Sequence, residues 1–223
     1  MTEWVLGVES SCDDTGLGLL SEDGELVHVR DQQSHTQTGG VVPQIAAANH
    51  LERISPLFDS LLDKAGAKAS DLVALGVTEG PGLAGSLAVG VSWTLGLGEA
   101  LGLPVWGVHH LEAHTHTLLT GGEEAPKEYP LLVLLVSGGH TSLLHWDGTS
   151  TPQSVLATLD DAAGEAIDKV ARHLGLGGPL GPPREAGAEE VGVASWRERW
   201  QVAVVPLLWT RRLMGVRREC GEG

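Results

Sequence analysis

Cysteine is scarce in this chain, and its scarcity excludes one class of protein. The 223 residues include only two cysteines, Cys12 and Cys220, which lie near opposite ends. An isolated pair of this kind does not form the disulfide framework that stabilises small secreted domains. The cysteine content fits a reduced compartment, and we expect a cytoplasmic protein.

Long apolar runs and basic residues are also lacking. Glycine or charge interrupts each apolar stretch well before the roughly 20 residues that a membrane-spanning helix needs. A signal peptide is not expected either, because Glu3 stands where a basic region should be and Glu9 interrupts the apolar stretch. With 14 Lys and Arg against 29 Asp and Glu, the formal net charge is −15. The sequence therefore predicts no membrane partner and no extended basic face, so a partner protein or a local patch would have to supply any nucleic-acid contact.

The order of apolar and polar stretches predicts an α/β protein of one or two domains. Residues 4–29 are predicted to form three strands, and residues 71–80 and 105–108 two more. Between them we predict a helix over 43–64, ended by Gly66, and a glycine-rich helix over 86–101. The first helix is indicated by apolar residues at helical spacing: Ile45, Leu51, Ile54, Phe58, Leu61 and Leu62.

A weak internal duplication is visible further along the chain. The stretch "YPLLVLLVSGGHTSLLHWDGT", residues 129–149, repeats the strand, polar turn, strand and Asp-Gly turn of the opening segment. A helix follows, beginning at Asp160 or Asp161 and closed by glycines. We therefore predict two similar lobes with mixed sheets, each opening with a tight turn whose N–H groups could hold an anionic group.

Four of the ten histidines lie in "GVHHLEAHTHT", residues 107–117. His110 and His114 are four residues apart, so on a helix both would project from one face and could bind one cation. The zinc-protease pattern is absent, because it needs Glu directly after the first histidine, whereas Glu112 comes second. The spacing alone leaves two alternatives open: a metal site, or an ordinary surface or core pair.

Two polar turns are further candidates. "ESSCDDT" places Glu9, Asp13 and Asp14 between two strands, and "SGGHT", residues 137–141, offers glycines and hydroxyls for a phosphate or carbonyl oxygen. Ordinary hairpin turns are the alternative for both, and a structural thiol is the expectation for Cys12. "GPGLAGSLAVG" lacks the Lys and Ser/Thr ending of a Walker-type phosphate loop, so we predict a closely packed helix start there.

Taken in order, six motifs resemble the bacterial tRNA adenosine threonylcarbamoyltransferase family: "GVESSCDDTG", "GGVVPQIAAANH", "TEGPGLAGSL", "HHLEAH", "LLVSGGHTSL" and "DDAAGEAIDKVARHLGL". This family is related to the Kae-type proteins of archaea and eukaryotes and was once labelled O-sialoglycoprotein endopeptidase. The resemblance covers residues 4 to about 179. It implies the actin/Hsp70-like ATPase (ASKHA) fold, with two related lobes.

The resemblance also implies an activity, its ligands and its partners. Family members transfer the threonylcarbamoyl group from threonylcarbamoyl-adenylate to N6 of adenosine 37 in tRNAs that read codons beginning with A. The implied cofactor is one iron or zinc ion, with ATP or ADP as a further candidate ligand. The implied partners are tRNA, a paralogous ASKHA subunit and a small P-loop ATPase.

Individual residues can be matched to the family's site. By resemblance, His110 and His114 are two metal ligands, and we take Asp13 as the acid that orients or deprotonates the attacking amine. Asp168, which by itself would be interpreted as a solvated acid, becomes a substrate contact. The other implied substrate contacts are Leu135, Val136, Ser137, Gly138 and Gly139 in one loop, and Gly178.

The chain departs from the family after Gly178. Neither the family's glycine-rich segment with a substrate-binding Asn nor its Asp, the third metal ligand, is found there. Half of the 14 Lys and Arg and three of the seven Trp follow Pro183. We hypothesise a truncated or frameshifted family member, with a genuine shortened C-terminus as the alternative. The predicted regions are an N-terminal lobe (1–106), the first part of a second lobe (107–179) and a non-homologous tail (180–223).

Two other functions compete with the transferase. The chain could be a non-catalytic partner subunit, or an inactive fragment, of the same complex, although the resemblance links the "HHLEAH" histidines to the catalytic member. Metallopeptidase, the old family label, is the remote alternative, because the Glu that this activity requires directly after the first histidine is not found there.

Overall fold

The computed structural model describes residues 2–33, 41–117, 128–148 and 151–173. The described residues form two compact units, one made of residues 2–33 and 43–110 and the other of residues 41–42 and those from 111 onward. The lobe boundary after residue 106 and the separate tail stay predictions. Gly178 and the tail lie outside the described residues.

The first unit is built on a five-stranded mixed sheet with the order β3-β2-β1-β4-β5. β1, β2 and β3 form the predicted antiparallel meander, whereas β4 and β5 run parallel to β1. The carboxyl ends of β1, β4 and β5 therefore meet at one edge of the sheet, which positions the residues that follow them. The strands are β1 (Trp4–Glu9), β2 (Asp14–Ser21), β3 (Leu26–Gln32), β4 (Leu72–Gly80) and β5 (Val105–His109).

Helix α1 (Pro43–Ala65) packs on this sheet, but its buried face differs from the predicted one. Ile45 and Leu51 are 45% and 67% exposed. Ala46 and His50 are fully buried instead, because His50 bonds to the turn after β1 and so fixes how the helix is rotated. The buried residues of α1 are Ala46, His50, Ile54, Phe58 and Leu61.

Helix α2 (Ala84–Leu101) approaches the sheet closely through a stripe of small residues, which are Ser86, Gly90, Thr94 and Gly98. The stripe recurs every four residues, so it follows one face of the helix. A Cβ at Gly98 would overlap the side chain of Val105 and press on the carbonyl oxygen of Leu103. Gly98, which looks unfavourable for a helix, is thus explained by the short distance to β5.

The second unit contains a three-stranded antiparallel sheet with the order β6-β7-β8. Its strands are β6 (Leu131–Val136), β7 (Thr141–Trp146) and β8 (Gln153–Ala157), and helix α4 (Ala163–His173) follows. The sheet repeats the β1–β2–β3 meander, as the duplication predicted. No helix in the described part of the chain is both long enough and apolar enough to cross a membrane.

Candidate functional site

The turn between β1 and β2 is held by both helices of the first unit. The carbonyl oxygen of Cys12 accepts hydrogen bonds from Nε2 of His50 (3.0 Å) and from Oγ of Ser86 (3.1 Å). The carbonyl oxygen of Ser11 accepts one from the N–H of Leu83 (2.7 Å). Because a carbonyl can only accept, Nε2 of His50 carries a proton. The backbone of the "ESSCDDT" motif is therefore anchored at two successive residues.

Gly82 is required by the same close approach. A Cβ at this position would overlap the backbone carbonyl oxygen of Ser11, and it would lie 3.0 Å from the Ser11 Cα. Backbone atoms cannot turn aside as a flexible side chain can. The "GPGLAGS" motif thus forms the closely packed helix start that the sequence predicts.

Glu9, the last residue of β1, is buried rather than solvated, with an exposed fraction of 1%. One carboxylate oxygen accepts the N–H of Ser11, and the other accepts the hydroxyl of Thr78 on β4. The second oxygen also lies 3.2 Å from Nδ1 of His110. Burial alone would raise the pKa of Glu9, but the hydrogen bond and charge of His110, with the bonds from Ser11 and Thr78, lower it to about 2. Glu9 is therefore ionised at neutral pH.

The sequence motifs place Glu9 in a polar turn and do not single out Thr78. The order of the strands could have identified both as site residues. Glu9 ends β1, Thr78 lies two residues before the end of β4, and β5 leads directly to His110. Parallel neighbouring strands bring such ends together at one sheet edge, where ligand sites of α/β proteins are usually found.

Asp13 lies in the same turn, next to the Cys12 thiol. Partial desolvation and then the charge and hydrogen bond of Asp13 raise the pKa of Cys12 to about 12. A thiol with such a pKa remains protonated at neutral pH and is a poor nucleophile. This supports the expectation that Cys12, which is exposed, is a structural or incidental thiol and not a nucleophile. The catalytic role of Asp13 stays a prediction.

The histidine motif forms a short helix, α3 (His110–His116), directly after β5. His110 and His114 are thus one helical turn apart, as their spacing predicted. His109 is exposed, whereas His116 is buried and packs against Trp146 with ring centroids 4.9 Å apart. Nδ1 of His116 also donates to the carbonyl oxygen of Glu112 (2.9 Å). His116 therefore has a packing role.

The surroundings of His110 fit a metal ligand. Its Nδ1 faces Glu9, and a metal-binding imidazole commonly donates its other N–H to a carboxylate. Nε2 is then the nitrogen that would bind iron or zinc. Within residues 2–33, 41–117, 128–148 and 151–173, no three His, Cys, Asp or Glu side chains are grouped closely enough to hold a metal ion.

The "SGGHT" turn of the second unit is closed by Ser137. Its N–H and its Oγ both donate to the carbonyl oxygen of His140, at 2.8 and 3.1 Å. Helix α4 begins against this turn: the N–H of Ala163 donates to Oγ1 of Thr141 (2.8 Å), and that of Gly164 to the carbonyl oxygen of Ser137 (3.2 Å). The turn and the start of α4 therefore form one hydrogen-bonded group.

The remaining predicted substrate residues lie in or near this group. Leu135 and Val136 end β6, directly before the turn. Among the residues that the structure describes, no other atom lies within 4 Å of a Cβ at Gly138 or Gly139, so this part of the chain leaves the space beside both glycines open. Asp168 lies on α4, but its side chain, like all of Gly178, falls outside what the structure describes.

Comparison with known proteins gives three findings. A family model described as tRNA N6-adenosine threonylcarbamoyltransferase matches residues 25–205. The proteins of that name from Herminiimonas arsenicoxydans and Ralstonia pickettii are 48% and 50% identical over 188 and 182 residues. These alignments cover 83% and 80% of this chain, but only 54% and 52% of the relatives. The chain thus spans about half the length of the curated relatives that it matches.

Among solved structures, YeaZ from Pseudomonas aeruginosa is similar, with a TM-score of 0.50, 19% identity and 72% of each chain covered. At that identity the likeness concerns the fold alone. It confirms the predicted actin/Hsp70-like α/β fold with mixed sheets and an incomplete second lobe. The family match, which covers most of the chain, confirms the resemblance of the sequence motifs. The chain belongs to the tRNA N6-adenosine threonylcarbamoyltransferase family.

Proposed function

We propose that this chain carries a threonylcarbamoyl-transfer site and acts on N6 of adenosine 37 in tRNAs that read codons beginning with A. The donor is threonylcarbamoyl-adenylate. N6 bonds to the carbamoyl carbon, the bond from that carbon to the phosphate oxygen breaks, and AMP leaves with the bonding electrons. The observation that carries the proposal is His110, a family motif residue, held against the buried carboxylate of Glu9 at 3.2 Å.

The metal ligands of the proposed site are His110 and His114. An iron or zinc ion bound there would supply Lewis-acid chemistry and help to orient the threonylcarbamoyl oxygens. The network of Glu9, Ser11 and Thr78 would keep the His110 ring in one orientation.

The proposed substrate loop is Leu135 to Gly139. The open space beside Gly138 and Gly139 allows a ligand to approach the backbone closely. Asp168 and Gly178 complete the proposed set of substrate contacts. ATP or ADP remains a second candidate ligand of the same fold.

Asp13 is proposed to orient the attacking amine or to accept its proton. The anchored backbone directly before it, at Ser11 and Cys12, would hold its carboxylate in a defined place. Replacing it with asparagine should lower kcat and leave the KM for tRNA nearly unchanged, because the role concerns the reacting amine.

tRNA is the proposed macromolecular partner, in the cytoplasm. A chain with a net charge of −15 is a poor match for a phosphate backbone, so partners should provide the basic surface. We propose a paralogous ASKHA subunit and a small P-loop ATPase for this role.

The test combines the purified chain with these companion subunits, threonylcarbamoyl-adenylate and unmodified tRNA. Mass spectrometry of digested tRNA should detect the threonylcarbamoylated nucleoside, and a variant with alanine at both His110 and His114 should form none. If the full-length Herminiimonas relative forms product and this chain does not, the chain is a non-catalytic subunit or an inactive fragment. Peptide cleavage without tRNA modification would favour the metallopeptidase.

A further inference from the structure

Glu9 has more hydrogen-bonding partners than a residue at a hairpin turn requires. Its carboxylate accepts from the backbone N–H of Ser11 and from the hydroxyl of Thr78, and it faces Nδ1 of His110. These partners come from the turn after β1, from β4 and from the start of α3. Glu9 thus links three segments that converge at one edge of the sheet.

Stability does not explain why a carboxylate is found here. Burying a charge is costly, and replacing a buried ion pair by apolar residues of similar volume is often neutral or stabilising. With an exposed fraction of 1%, Glu9 bears that desolvation cost in full. A role in orienting a neighbouring group accounts for a charge at this position.

The neighbouring group is His110, and the network determines which of its nitrogens carries a proton. A backbone N–H can only donate, so one oxygen of Glu9 serves Ser11 as an acceptor. The other oxygen accepts from Thr78 and is the atom that His110 approaches. The Ser11 hydroxyl also lies 3.2 Å from Nδ1, but a hydroxyl can accept as well as donate, whereas the ionised carboxylate can only accept. Nδ1 of His110 is therefore the donor to Glu9, and Nε2 of the neutral ring keeps its lone pair.

We propose that Glu9 is a positioning residue for His110: it fixes the Nδ1–H tautomer and the ring orientation, so that Nε2 is presented as a metal ligand. Thr78 acts one step further away, by holding Glu9, whereas Ser11 holds Glu9 through its N–H and also contacts Nδ1 of His110 through its hydroxyl (3.2 Å). The inference rests on the proposed function in taking His110 as a ligand.

Glu9→Gln should reverse this arrangement. The N–H of Ser11 still needs an acceptor, so the amide oxygen of the glutamine takes that place. The amide nitrogen then faces His110 and donates to Nδ1, while the hydroxyl of Thr78 can accept as well as donate. His110 would change to the Nε2–H tautomer, and Nε2 would no longer be available to a metal.

The experiment uses the full chain with 15N-labelled histidine, free of metal, at about pH 8.5, where an ordinary histidine with a pKa of about 6.5 is neutral. Long-range 1H–15N correlation spectra report the tautomer, and His110→Gln assigns the signal. We expect Nδ1–H in the wild type and Nε2–H in Glu9→Gln. Titration with Zn²⁺ alone should show affinity about 10- to 100-fold lower in Glu9→Gln. The matched control is Glu52→Gln, on the exposed side of α1, which should change neither result.

The wild-type spectrum tests the inference even if Glu9→Gln fails to fold. A wild-type His110 with the proton on Nε2 would overturn it, as would an unchanged tautomer in a folded Glu9→Gln protein. If the tautomers are as expected but the wild type binds no Zn²⁺, Glu9 still controls His110 and the proposed metal site fails.

Discussion

Replacing His50 with leucine tests whether hydrogen bonds, rather than apolar packing, fix helix α1 against the first turn. His50 is fully buried. It bonds to Oγ1 of Thr15 at 2.7 Å and to the carbonyl oxygen of Cys12 at 3.0 Å. Leucine removes both bonds and leaves the buried hydroxyl of Thr15 without its histidine partner. The Cys12 carbonyl keeps its bond from Ser86.

The expected loss can be assembled from these contacts. A buried polar group deprived of its partner costs about 1–3 kcal/mol, and the lost bond at Cys12 adds roughly 0.5–1.5 kcal/mol. His50→Leu should therefore lower the free energy of unfolding by about 2–4 kcal/mol. Thr15→Val alone should cost about 1–3 kcal/mol, because it deprives His50 of its partner. In the double variant neither stranded group remains, so it should cost only the lost Cys12 bond, roughly 0.5–1.5 kcal/mol, and the coupling energy should be about 2–6 kcal/mol.

The assay is urea unfolding followed by far-UV circular dichroism for the four proteins of the cycle, compared at equal m values. His109→Leu is the matched control: His109 is exposed, so its replacement should change stability by less than about 0.5 kcal/mol. Single effects that add within about 0.5 kcal/mol would refute the reasoning, since the two side chains would then act independently.

Three further predictions concern close packing and the Cys12 thiol. A Cβ at Gly96 meets no described atom within 4 Å, so Gly96→Ala should raise the free energy of unfolding by about 1 kcal/mol. Gly98→Ala should be about 1–3 kcal/mol less stable than Gly96→Ala, because its Cβ overlaps Val105; equal urea midpoints would contradict this. With the other cysteine changed to serine, Cys12, whose pKa is about 12, should react with iodoacetamide at neutral pH about 30- to 100-fold more slowly than an ordinary thiol, because the loss of thiolate outweighs its higher nucleophilicity. Asp13→Asn should speed this reaction, and an unchanged rate would count against the Asp13 contact. Gly164→Ala should lower the Tm and weaken the binding of threonylcarbamoyl-adenylate, because its Cβ would overlap the carbonyl oxygen of Ser137, which closes the "SGGHT" turn. Unaltered binding would show that this turn does not contact the substrate.

Much of the fold could be predicted from local patterns. The meander of β1 to β3, helix α1 ending at Gly66, and the repeat at residues 129–149 follow from periodicity and turn residues that act over short distances. The buried face of α1 could not be predicted in the same way. Periodicity favoured Ile45 and Leu51, but His50 is buried because of its bonds to residues far away in the sequence.

The candidate site was predictable to a similar extent. The motifs identified His110, His114 and the "SGGHT" turn, since each is a contiguous stretch with a recognisable chemistry. Glu9 and Thr78 are 69 residues apart, and their bond depends on β1 pairing with β4. Such pairing is a property of the sheet and is not visible in either motif alone.

The most direct test of the central claim is the nucleoside analysis of tRNA incubated with this chain, the companion subunits and threonylcarbamoyl-adenylate. We expect the threonylcarbamoylated adenosine at position 37 with the wild-type chain, and none with the double variant His110→Ala and His114→Ala. Absence of this nucleoside, while the full-length Herminiimonas relative forms it under the same conditions, would contradict the proposal that this chain carries the transfer site.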